Sequence, residues 1–218
     1  MDARRIPQPQ TYTAAELEHK AHDFLSEHVG KDLSVPVDVE LILEKLPGVT
    51  LEIWPGLCAR LGIEGMVARN PETGELFVYI DDDLADYRPN RYRFTVAAEL
   101  AHLVIHRRQI DAVSTPEDFR ELMAMQMGDQ MERNAKRFAA AVLMPHSLVD
   151  RMARQMYPRL VQRVGFTNPE AVKKYLAAWL ARQFEVSVET MSYRLREWPV
   201  RIMARIDEAM RNRFDQLG

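Results

Sequence analysis

The stretch RYRFTVAAELAHLVIH, residues 91–106, decides how this chain is read. Its apolar residues recur at helical spacing, and it carries Glu99 and His102 in the order a metal-binding helix uses. The full pattern is His-Glu-x-x-His. Two histidines four apart share one helical face and can bind one zinc ion, while the glutamate after the first can take a proton from zinc-bound water. A third ligand comes from elsewhere, and water fills the fourth position. Here the first histidine position holds Ala98. Taken alone, AELAH carries little information, because Glu and His at that spacing on a helix are common by chance, and an amphipathic helix with a capped or hydrogen-bonded His102 is then the favoured reading.

The segments around it read as a mixture of helices and short strands. TYTAAELEHKAHDFLSEHVG (11–30) has a capping-box pattern in Thr13 and Glu16, and an apolar face of Leu17, Ala21, Phe24 and Leu25. VPVDVELILEKLPG (35–48) reads as a shorter helix capped by Asp38 and stopped by Pro47-Gly48. VTLEIW (49–54) and IEGMVAR (63–69) alternate like strands, and NPETG (70–74) is turn chemistry before ELFVYID (75–81). The fold class expected is therefore α+β, a small antiparallel sheet packed with helices. DDDLADYRPN (81–90) reads as an acidic loop, with Asn90 capping the motif helix. The stretch 116–145 reads as helix broken near Gly128 and ended by Pro145. The remainder reads as helices with stops near Pro158, Pro169 and Pro199, the last presenting Ile202, Ile206, Ala209, Met210 and Phe214.

Composition sets outer bounds. The chain has 218 residues, 47% hydrophobic and 28% charged, as an ordinary globular protein does. No run of about 18 apolar residues suggests a membrane span, and the first residues lack the apolar centre of a signal peptide. Cys58 is the only cysteine, which excludes an intramolecular disulfide and a multi-thiolate zinc site. A cytoplasmic location is expected. The net charge of -3 conceals an asymmetry: residues 1–150 carry 16 Lys and Arg against 25 Asp and Glu, and residues 151–218 carry 13 against 7. A basic C-terminal segment can meet nucleic acid, or dock on an acidic body.

RYRFTVAAELAHLVIH resembles the metal-binding helix of the ImmA/IrrE metallopeptidases, and the order of parts around it is similar too. VPVDVELILEK (35–45) resembles the family's early short helix, and ELFVYID the strand before the motif. ERNAKRFAAAVLMP (132–145) resembles its Glu-x-x-Ala-x-x-Phe-Ala helix, and LARQFEVSVETMSYRL (180–195) its late helices. The resemblance covers roughly residues 15–200. It implies a zincin-like active-site helix, a zinc cofactor, and a protease that cuts a helix-turn-helix repressor. It implies Glu99 as general base, and His102 and Glu132 as metal ligands. The chain departs from the family at Ala98, the vacated ligand position. It departs again at Lys136, where the family has Asn or Asp. Possible substitute ligands are His106 and His146. The organisation expected is a flexible arm (1–10), an ImmA/IrrE-type peptidase-like domain (11–150) and a helical C-terminal region (151–218).

Three functions follow as alternatives. The first is a regulatory relative with a degenerate metal site that binds a helix-turn-helix repressor or another protein substrate. The second is a zinc endopeptidase, active through a substitute ligand or deliberately inactivated at Ala98. The third is a DNA-binding regulator, in which LAAWLARQFEVSVETMSYRLREW (176–198) exposes Thr190, Ser192, Tyr193 and Arg194 to a groove. Two further features admit bland readings beside functional ones. Met123, Met125, Met127 and Met131 read as core or as an adaptable cleft wall, and Asp81–Asp83 as a solvated loop or a hard-cation site.

Overall fold

The computed structural model describes residues 6–30, 33–165 and 168–215, without the side chains of residues 129 and 213–215. The chain divides into two compact units, Met1–Leu33 with Val37–Val142, and Ser34–Pro36 with Leu143–Gly218. Among the described residues no helix is long and apolar enough to cross a membrane.

The first unit begins with an extended segment that crosses distant parts of the sequence. Ile6 is fully buried. Gln109 donates its amide to the carbonyls of Pro7 and Gln8, Asn134 to that of Gln10, and the Tyr12 hydroxyl to that of Ile105. Residues 6–10 are thus held by side chains, where the sequence suggested a loose arm; residues 1–5 of that arm lie outside the described residues. Helix α1 (Ala14–His28) opens with the expected Thr13–Glu16 capping box and buries Leu17, Ala21, Phe24 and Leu25. Helix α2 (Val39–Glu44) is capped by Asp38.

Strand β1 (Val49–Trp54), helix α3 (Leu57–Leu61), and strands β2 (Gly65–Arg69) and β3 (Leu76–Asp81) follow. The sheet order is β1-β3-β2. Strands β2 and β3 form the expected hairpin, its turn held by the Glu72 and Thr73 amides donating to the Asn70 carboxamide oxygen and the Gly74 amide donating to the Asn70 carbonyl. The sheet is mixed, however, not antiparallel: β1 runs parallel to β3, with Val49 opposite Leu76 and Ile53 opposite Ile80. Alternation in sequence reports which face a residue takes and is blind to strand direction. Direction here comes from α3, which carries the chain over so that β2 enters on the far side of β3.

Asp81 and Asp82 do not lie in a solvated loop; their carboxylates accept from backbone amides. Asp81 is buried and caps helix α4 (Asp82–Tyr87), accepting from the Asp83 and Cys58 amides; Asp82 accepts from Gly56. The carboxylates thus tie the loop after β1 to the end of β3.

Helix α5 (Pro89–Ile105) starts with Pro89 in its first turn, and its N-cap is Arg88 rather than Asn90. Arg91 pairs with Glu64, the Tyr92 hydroxyl with Glu40, and Arg93 with the Val37 carbonyl, which fixes the start of α5 against the segments before β2 and around α2. From Val96 to Leu103 every residue is buried, so α5 is a core helix rather than a surface amphipath. Helices α6 (Arg107–Asp111), α7 (Pro116–Gln126) and α8 (Asp129–Leu143) complete the unit, the break between α7 and α8 falling at the expected Gly128. Phe138 on α8 is fully buried and meets Phe24 edge-on, centroids 6.0 Å apart, a geometry worth about 0.5–1.5 kcal/mol beyond area burial. Of the methionines, Met131 is core and Met127 is 64% exposed.

The second unit is helical. Helix α9 (His146–Val164) runs through Pro158 without stopping there, helix α10 (Pro169–Phe184) is capped by Asn168, and helix α11 (Val188–Arg196) is capped by Ser187. Helix α12 (Ile202–Asp215) buries Ile202, Ile206 and Met210, while Ala209 is exposed; the Phe214 side chain lies outside the described residues. The α10–α11 pair has helix-turn-helix spacing, but Arg194 does not face a groove. It is buried, and its Nε donates to the Met144 carbonyl at 3.0 Å.

Candidate functional site

Helical spacing on α5 puts Ala98 and His102 one turn apart, with His106 another turn on. His102 and His106 are both almost fully buried, and Ala98 and Glu99 each retain 8% exposure. Glu132, on α8, is brought to the same place: its Oε2 lies 3.9 Å from His102 Nε2. That is an ion-pair distance rather than a hydrogen bond. The other oxygen, Oε1, receives Lys136 Nζ at 2.8 Å, one turn along α8. Glu99, His102 and Glu132 thus converge, and a lysine converges with them.

Electrostatics follow from this packing. Burial pushes the Glu99 carboxyl up to about 7; His102 opposes the shift and the Glu132 charge adds to it. The contact with His102, and then Lys136, hold the Glu132 carboxyl down at about 2, against partial burial. His106 is pushed down to about 3 by burial and by His102, and so is neutral. Glu99 can therefore gain or lose a proton near neutral pH, while Glu132 stays ionised.

His106 is turned toward His102. Its Nδ1 lies 3.1 Å from His102 Nδ1, so one ring donates and the other accepts. A carboxylate opposite His102 Nε2 favours the tautomer with its proton on that nitrogen. We therefore assign His106 Nδ1 as donor and His102 Nδ1 as acceptor. A zinc ligand needs Nε2 bare, the reverse assignment. His146 begins α9 in the second unit and is exposed.

The donor set does not fit a three-ligand zinc centre. Ala98 has no donor atom, Glu132 is already paired with a lysine, and among the described residues no group of three His, Cys, Asp or Glu side chains is arranged to hold a metal ion. Imidazole and carboxylate are the right chemistry for zinc, but two of them fall one short of the usual protein set.

One residue of the site escaped the sequence reading. Gly65, at the start of β2, lies directly over Glu99. A Cβ there would come within 2.8 Å of Glu99 Oε1 and of Thr95 Cγ2. An isolated glycine inside a strand pattern is the signal of such a close approach. Gly65→Ala is expected to cost on the order of 1 kcal/mol, because the Glu99 side chain must shift. The check is a lower urea midpoint; an unchanged midpoint would show that Glu99 yields freely.

Comparison with known proteins agrees with this arrangement of parts. A family model described as the IrrE N-terminal-like domain, peptidase M78, matches residues 71–196. No curated protein matches. Among solved structures, a Mycobacterium tuberculosis transcriptional regulator aligns with 85% of this chain and 47% of its own, at 18% identity and a TM-score of 0.51. That likeness is one of fold, and this chain spans about half the length of that protein. The family match takes in α5, with Glu99 and His102, and Glu132 on α8; it extends over more than half of the chain, which therefore belongs to the IrrE N-terminal-like family of peptidase M78.

Proposed function

We propose that this chain is a regulatory member of its family whose metal centre does not assemble, and that the region around His102 and Glu132 binds a protein partner instead of cutting it. The observation that carries the reading is Ala98: the helix that should bring two imidazoles brings one, beside a carboxylate already paired with Lys136. The partner best suited to the family's chemistry is a helix-turn-helix repressor in the cytoplasm. The mycobacterial protein of similar fold is a transcriptional regulator, which supports a role in gene regulation. The DNA-binding alternative is weakened by Arg194, whose guanidinium is buried and committed to a carbonyl.

Purified without chelator, the protein should hold clearly less than one zinc per chain by elemental analysis, since a first ligand is missing. Stoichiometric zinc that survives dialysis would overturn the reading. It would favour the second one, a working zinc endopeptidase with Glu99 as base. One observation speaks for that alternative: a buried carboxyl near 7 is matched to proton transfer at neutral pH.

A further inference from the structure

We propose that the Lys136 ammonium stands in for the charge of the metal ion, so that α8 carries its own cation to the carboxylate that would otherwise ligate zinc. The inference rests on reading position 98 as a vacated ligand position and extends it. Glu132 has two oxygens, and both are taken. Oε1 receives Lys136 Nζ at 2.8 Å, and Oε2 faces His102 Nε2 at 3.9 Å. The pair lies along one helix with the glutamate N-terminal to the lysine by four residues, the favourable order.

The need for a cation here is local. Glu132 and Glu99 both face His102, one from α8 and one from α5, and Glu99 is buried. In a metal centre the ion would balance these carboxylates. Without the ion, an unpaired Glu132 would leave negative charge beside a buried acid, and Lys136 relieves this. The same ammonium opposes an ion. Zinc binds a carboxylate oxygen at about 2.0–2.2 Å, and a lysine held on that carboxylate would repel it. Two differences from the metal-binding pattern therefore act together. Ala98 removes a donor, and Lys136 supplies the charge the donor set would have recruited. An arginine at 136 would serve as well; a neutral side chain would not.

Calorimetric titration of zinc chloride into Ala98→His and into Ala98→His/Lys136→Met tests the competition. Zinc should bind the double variant about 10-fold or more tightly, the scale on which groups next to a metal site alter affinity. A second arm uses no metal. In chelator, Lys136→Met should melt about 1–3 °C below the parent at low salt, and Lys136→Arg should restore the loss. Equal zinc affinity in the two backgrounds overturns the proposal alone, because Lys136 would then swing aside at no cost. Equal melting of the parent and Lys136→Met in chelator overturns it as well. Absence of zinc binding in both backgrounds overturns the reading of position 98, and this proposal with it.

Discussion

Zinc should raise the melting temperature of Ala98→His strongly and leave the parent almost unmoved. Position 98 sits one helical turn from His102 on the same face, so a new imidazole needs little backbone change. There is an opening for it: between Val96 and Ala101 only Ala98 and Glu99 keep any exposure, 8% each. His102 Nε2 and Glu132 Oε2 already face each other, so three donors would surround one point. Zinc bound only by the folded chain stabilises it by mass action, about 4 kcal/mol when free zinc exceeds the dissociation constant 1,000-fold. For a chain of this size that is a shift on the order of 10 °C. Adding Glu132→Ala should abolish the shift, and chelator should reverse it. If zinc moved the parent and Ala98→His equally, Ala98 would not mark a vacated ligand position.

The second large effect concerns pH. Folded Glu99 titrates near 7, whereas an unburied glutamate titrates at 4.5. Between those values the folded chain holds a proton that the unfolded chain has released. Stability therefore falls as pH rises through this window and levels off above it. At about 1.4 kcal/mol per pKa unit the fall is on the order of 3 kcal/mol. Glu99→Gln keeps the shape and cannot ionise. Relative to the parent, it should gain about 2–3 kcal/mol between pH 5 and pH 8, on the order set by the same linkage. Urea melts at the two pH values measure this, and the comparison cancels the titrating groups that do not interact with Glu99. Glu132 does not confuse the result, because its carboxyl is held near 2 and is ionised throughout. Parallel stability profiles for the two proteins would show that Glu99 is hydrated enough to ionise normally.

Much of the fold was legible because it depends on local rules. The Thr13–Glu16 box, the Asp38 cap, the hairpin turn at Asn70 and the break at Gly128 each follow from short-range backbone chemistry, and each is present. The meeting of α5 and α8 was legible through the resemblance of both helices to one family. What was hidden depended on long-range partners. The parallel pairing of β1 with β3 leaves no trace in alternation. Asp81 looked like surface charge, and its burial is explained only by the amides of Cys58 and Asp83. Arg194 was a groove reader only under the DNA-binding alternative, and its bond to the Met144 carbonyl could not be read from sequence. Pro158 looked like a stop, yet α9 continues through it. His106 was only a possible substitute ligand, and its direction toward His102 is a rotamer that no sequence reports.

The extended segment before α1 has a consequence for how the protein is made. Its bonds reach across 93 residues from Tyr12 to Ile105, 101 from Gln8 to Gln109 and 124 from Gln10 to Asn134. Residues 8–12 are therefore made well before the groups that hold them. At about 5–20 residues per second, Gln10 waits roughly 6–25 s for Asn134 to be synthesised. Ile6, buried in the finished protein, belongs to the same waiting segment. An apolar residue kept waiting for burial is a handle for chaperones, and the unit cannot close until α8 has emerged.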